Sequence, residues 1–90
     1  MRAKTKKWVK FELEREAGLN VCLAGTFNHW TPQRISYISR KSYVVQLSLA
    51  PGRYEYKFVV GGEWIIDPLN PLTCPNDQGT LNSVIIVKEA

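Results

Sequence analysis

The sequence predicts an all-β fold, a small sandwich of about six to eight short antiparallel strands, on three observations. Apolar residues recur with period two rather than with the helical period of about 3.6. Tight-turn residues separate the alternating runs. No segment carries a convincing helical stripe. An OB-like barrel is the alternative arrangement of such strands. Missing Cys–Trp–Cys spacing argues against an antibody-type domain and leaves a disulfide-free immunoglobulin-like sandwich open.

The elements follow in chain order. "VKFEL" at 9–13 alternates apolar and charged residues, and "EREAG" after it reads as a polar tail of that strand. "LNVCLAG" at 19–25 is apolar and β-compatible. "SYVVQLSL" at 42–49 puts Tyr43, Val45, Leu47 and Leu49 on one face, and "RYEYKFVV" at 53–60 does the same for Tyr54, Tyr56, Phe58 and Val60. "EWII" and "SVIIV" are short β-branched runs. Pro51 and Gly52 form a turn, and Gly61 and Gly62 a two-residue hairpin loop. The segment 67–80, "DPLNPLTCPNDQGT", carries three prolines and is expected to be irregular.

That hairpin loop fixes a register. Val60 falls opposite Glu63, Val59 opposite Trp64, Phe58 opposite Ile65 and Lys57 opposite Ile66. Tyr54, Tyr56, Phe58, Val60 and Ile65 then form the core face. Val59 and Trp64 face each other on the other side, with Lys57 diagonal to Trp64. A second tryptophan, Trp30, lies in "GTFNHWTP" (25–32), among turn residues where burial is difficult. Trp8 is out of phase with Val9 and Phe11 and is expected to pack at a sheet edge, whereas Phe27 is expected in the core. Two flat aromatics with polar neighbours suit a sugar, whose ring has an apolar C–H face and a hydroxyl rim. Nucleobases also stack on aromatics, so the residues alone leave both ligands open, as well as simple edge covering by Trp64.

Bulk properties exclude several classes. Ninety residues make a single domain, 1–90, that hides about 60–65% of its unfolded surface. There is no apolar run long enough to span a membrane and no secretory h-region, so the chain reads as cytoplasmic. The net charge of +4 draws on Arg2, Lys4, Lys6, Lys7 and Lys10 within the first ten positions, which include a basic tail of about residues 1–7. A terminal cluster without RNA-binding aromatic motifs makes nucleic acid an unfavoured partner. Cys22, Cys74 and the single histidine, His29, cannot assemble a usual zinc site, and a disulfide is not indicated. No cofactor motif is present. None of the acidic residues pairs obviously beside Trp30 and Trp64, and no nucleophile–base arrangement is visible, so the chain reads as no enzyme.

"VCLAGTFNHWTP", "LAPGRYEYKFVVGGEWIIDPLNP" and "DQGTLNSVIIV", in this order, resemble the family-48 carbohydrate-binding modules, in particular the glycogen-binding domain of AMP-activated protein kinase beta subunits. The resemblance covers residues 21–87. It implies an early-set immunoglobulin-like sandwich that binds α-1,4-linked glucans such as glycogen, starch or malto-oligosaccharides without catalysis. By position it implies sugar stacking for Trp30 and Trp64, and hydrogen bonds to hydroxyls from Lys57, Asn82 and the neighbouring Thr80. Gln78 stands where the kinase module has a leucine that enters curved oligosaccharides. It could hydrogen-bond hydroxyls instead, at the cost of that apolar contact. Asp67 and Pro68 read as a turn rather than a site. The alternative within the same fold is a docking module for a protein partner or catalytic domain that has lost sugar binding.

Overall fold

The computed structural model describes residues 5–89. Arg2 and Lys4 of the basic tail lie outside the described residues, and Lys7 already opens the first strand. Among the described residues nine strands form two antiparallel sheets: β1 (Lys7–Glu14), β2 (Val21–Gly25), β3 (Gln33–Arg34), β4 (Ser36–Ser39), β5 (Ser42–Leu49), β6 (Gly52–Val60), β7 (Glu63–Ile65), β8 (Thr73–Pro75) and β9 (Leu81–Val87). One sheet has the order β1-β5-β4. The other runs β3-β2-β6-β9-β8, with β7 also on β6. Two separate sheets make a sandwich and not a closed barrel. The count exceeds six to eight because β3 and β8, of two and three residues, lie in stretches that read as loops.

Alternation places the core as the pattern requires. Phe11, Leu13, Tyr43 and Leu49 from the three-stranded sheet meet Val21, Leu23, Tyr56, Phe58 and Val87 from the larger one. Each fully buried Leu, Val or Phe side chain among them stabilises the fold by about 1.5–3 kcal/mol. Phe11 meets Tyr56 edge-on at 5.0 Å, and Tyr56 meets Phe58 edge-on at 6.1 Å, the arrangement aromatic quadrupoles favour. Phe27 packs against this cluster, as expected.

Gly61 and Gly62, at φ 56° and 87°, turn β6 into β7. The register is the expected one: Val60 faces Glu63, Val59 faces Trp64 and Phe58 faces Ile65. The ladder stops there, so Lys57 has no partner in β7, and it pairs with Ala24 of β2 across the other edge of β6.

Two expectations need correction. The segment 67–80 is not wholly irregular, because β8 pairs with β9, Thr73 facing Ser83 and Pro75 facing Leu81. Pro75 ends this edge strand, where a missing N–H costs little. Trp8 does not pack at an edge. It stands 72% exposed, because its cross-strand neighbour, Ser48, is too small to cover it. Residues 33–39, where Ile35 and Tyr37 alternate with serine, supply β3 and β4, and β4 is joined to β5 by a turn in which Arg40 and Lys41 take φ 50° and 63°.

A buried polar knot fixes the connection after β7. Tyr56 donates its O–H to Asp67 Oδ2 at 2.6 Å, and Asp67 N–H donates to Ser83 Oγ at 2.8 Å. Asn70 Nδ2 donates to Tyr56 Oη and to Val84 O. Burial, together with the Asp67 carboxylate, pushes the Tyr56 phenol far above its ordinary pKa. Asp67 thus serves the turn, as expected, and the knot docks the connection against β9 ahead of the loop at 76–80.

Candidate functional site

Glu55, Lys57 and Val59 alternate with Tyr54, Tyr56 and Phe58 and so share the face of β6 turned away from the core. Loops rise on both sides of this face. Between them lies an open groove of about 800 Å³, within the usual size of ligand sites. Trp30, Lys57, Trp64, Gln78, Thr80 and Asn82 all line it, together with Thr26, Glu55, Pro75, Asn76 and Asp77.

The loop after β2 is built to present Trp30. Gly25 donates its N–H to Asn28 Oδ1 at 3.0 Å and accepts from Trp30 N–H at 2.8 Å. Asn28 Nδ2 reaches back to Leu23 O, and Thr26 Oγ1 accepts the N–H of Glu55 on β6. Phe27 anchors the loop against Phe11 and Tyr54. His29 and Trp30 sit at φ 56° and 57°, a region that costs roughly 1–2 kcal/mol for a residue with a Cβ. Strain of this kind persists where the surroundings over-determine it, as these hydrogen bonds do. His29 points to solvent and is not a groove residue.

Trp64 is 43% exposed. Its ring centroid lies 6.4 Å from that of Trp30, with 44° between the planes. The two indoles therefore make a folded wall and not a flat shelf.

The opposite wall is polar and continuously bonded. Lys57, almost wholly buried, donates through Nζ to Thr80 Oγ1 at 3.0 Å. Asn76 Nδ2 donates to Thr80 Oγ1 at 2.7 Å and to Asn82 Oδ1 at 2.9 Å. Asn82 Nδ2 donates to Glu55 Oε1 at 2.9 Å, and Arg53 Nη1 donates to Glu55 Oε2 at 2.8 Å. Lys57 is thus tied into the polar wall of the groove.

The Asn82 amide first, then the Arg53 guanidinium, hold the Glu55 carboxyl at about 2, against an ordinary 4.5. The native chain then binds fewer protons at Glu55 than the unfolded chain between those two values. The resulting stabilisation is complete above the unfolded value and is lost as pH falls toward the folded one. In Glu55→Gln the fall in Tm from about pH 5 to about pH 2.5 should be shallower than in wild type. Equal slopes in thermal melts would assign the acid sensitivity to other carboxylates.

Sequence reasoning missed Glu55, Asn76 and Asp77. Glu55 was within reach, since it lies two residues before Lys57 and so on the same face. Asn76 had a local signal too, because Asn commonly accepts from the backbone two residues on. Two acidic residues, Glu55 and Asp77, do line the groove with the tryptophans. Glu55 still lacks the raised pKa of a general acid. Among the described residues there is no group of three His, Cys, Asp or Glu placed to hold a metal, and Cys22 and Cys74 are free thiols. No helix among the described residues is long and apolar enough to cross a membrane.

Fold and groove define a β-sandwich with a two-tryptophan cleft on one face. Residues 9–90 match the family described as the glycogen recognition site of AMP-activated protein kinase. The chain belongs to this family. It is 36% identical over 75 residues to 5'-AMP-activated protein kinase subunit beta-2 of Mus musculus, covering 83% of this chain and 27% of that protein. Against subunit beta-1 of Bos taurus it is 39% identical over 72 residues, 80% of this chain and 26% of that protein. The chain thus spans about a quarter of the length of these curated relatives. A crystal structure of maltogenic amylase from S. marinus shares the fold, with a TM-score of 0.78 at 24% identity, over 94% of this chain and 14% of that one.

Proposed function

We propose that the groove binds α-1,4-linked glucans, such as glycogen, starch or malto-oligosaccharides, without catalysis. The observation that carries this reading is the 44° tilt between Trp30 and Trp64. An α-1,4 chain winds, so successive glucose rings are not coplanar and need two stacking surfaces set at an angle. A flat β-1,4 chain would call for coplanar aromatics. Trp30 and Trp64 cover the C–H faces, while Lys57, Thr80, Asn82 and Gln78 meet the hydroxyl rim. The family's description as a glycogen recognition site supports the same ligand. Glycogen is a cytosolic polymer, and a cytoplasmic location goes with this reading.

The charge of the groove disfavours a nucleic-acid backbone, since Glu55 and Asp77 outnumber Lys57 along its lining. Titration with maltoheptaose should give a Kd between about 1 µM and 1 mM, that is roughly −8 to −4 kcal/mol. Cellohexaose should not bind measurably. The affinity should barely change between low and moderate salt, where a phosphate-binding protein would lose it steeply. No saturable heat at millimolar maltoheptaose would refute the glucan reading.

Protein docking by the same fold is the second reading. The curated relatives are kinase subunits by name. Trp8 and Ile86, 72% and 58% exposed, sit with Lys7 and Lys88 around a shallow depression that shares no residue with the groove. A protein partner or a catalytic domain is compatible with an open sugar site on this layout.

A further inference from the structure

We propose that Asn76 is a positioning residue that fixes the hydrogen-bond polarity of the groove and leaves Thr80 as an outward donor to a ligand oxygen. This rests on the groove being a glucan site. One chain of hydrogen bonds crosses this wall, and neither of its two ends can be reversed.

At one end stand backbone N–H groups, which can only donate. Asn76 Oδ1 accepts from Gln78 N–H at 3.0 Å and from Thr80 N–H at 3.1 Å. The oxygen of the Asn76 amide is thereby assigned, and its Nδ2 must face the other way, toward Thr80 Oγ1 and Asn82 Oδ1. At the other end stands Glu55, whose ionised carboxylate can only accept. It takes Asn82 Nδ2, which turns Asn82 Oδ1 toward Asn76. Every bond between the two ends therefore has one direction.

Two consequences follow. Asn76 spends both lone pairs and both N–H protons inside the protein, so it has nothing left for a ligand and acts only through its neighbours. Thr80 Oγ1 accepts twice, from Asn76 Nδ2 at 2.7 Å and from Lys57 Nζ at 3.0 Å. A hydroxyl has two lone pairs and one proton, so the proton is what remains. Thr80 then reads an oxygen lone pair on the sugar, whether of a hydroxyl, a ring oxygen or a glycosidic oxygen.

The test is a double-mutant cycle read by maltoheptaose titration. N76D keeps the acceptor that holds the loop, but replaces the amide donor by a second acceptor. The Thr80 hydroxyl should then turn inward to donate to the new carboxylate. We expect N76D to lose about tenfold in affinity, as does T80V, the loss of one well-placed hydrogen bond in each case. The Gln78 and Thr80 backbone amides should keep their protection from hydrogen exchange in N76D, because the oxygen that accepts from them is retained. The N76D/T80V double variant should lose clearly less than the product of the two single losses, because both changes remove the same Thr80 proton from the ligand and only the part carried through Asn82 is left to add.

N76D binding like wild type, or losses that multiply in the double variant, would overturn the positioning role and leave the glucan reading intact. T80V binding like wild type overturns it even where N76D fails to fold. A wild-type protein that binds no glucan fails at the earlier reading, and the role of Asn76 falls with it.

Discussion

Trp30→Ala will weaken maltoheptaose binding by about 2 kcal/mol or more, roughly 30-fold, and Trp64→Ala will do the same. A shallow open groove has few other sources of affinity. On the proposed reading Lys57, Thr80 and Asn82 would exchange water for sugar hydroxyls, and such exchanges net only about 0.5–1.5 kcal/mol each. The indoles bury apolar C–H surface and have no such exchange to offset. Neither tryptophan belongs to the core cluster, so both variants should keep the wild-type Tm to within a few degrees. The rings lie 6.4 Å apart, close enough for one glucan to bridge them, so the two losses should not simply add. Calorimetric titration checks this directly. Losses below about 0.5 kcal/mol for both folded variants would remove the tryptophans from the site.

The part of this site that could be read in the sequence is the part set by local rules. Alternation along residues 53–60 separated Tyr56 and Phe58 from Lys57 and Val59. The turn at Gly61 and Gly62 admits one register, and that register put Trp64 across from Val59 and away from the core. Trp30 was suspicious because it sat among turn residues, and the family resemblance gave it a role. What escaped depends on contacts far apart in sequence. Glu55 becomes a groove residue through Asn82, 27 positions away, and Lys57 is tied down by Thr80, 23 positions away. The β4–β5 turn escaped for a different reason. Arg40 and Lys41 occupy left-handed backbone positions where Gly, Asn or Asp is the usual signal, so tertiary packing overrides local preference there. Tyr37 against Tyr43, with ring centroids 5.1 Å apart, is one such packing contact holding that hairpin.

Gly25→Ala should be among the most damaging single substitutions in the chain, destabilising it by about 1–3 kcal/mol. In a domain of this size each kcal/mol lowers Tm by about 4–8 °C. The cause is space, not backbone freedom, since Gly25 is extended at φ −169°. A Cβ there would lie 2.6 Å from the backbone oxygen of Glu55 and 2.7 Å from Cζ of Phe27. The phenyl ring could shift, but the Glu55 carbonyl belongs to β6 at the centre of the larger sheet. Relief would have to come from moving β2 away, and with it the carbonyl and N–H that hold Trp30 and Asn28. Glucan affinity should therefore fall together with stability, although Gly25 itself does not line the groove. Gly79→Ala separates the two kinds of glycine. Its φ is 79°, and a Cβ there meets nothing within 4 Å, so its cost should be conformational and confined to the loop at 76–80. Thermal melts of both variants, each titrated with maltoheptaose, distinguish the cases. A Gly25→Ala protein that melts within about 2 °C of wild type would mean that β2 and β6 can part without harm, and that the Trp30 loop is held by something other than their close approach.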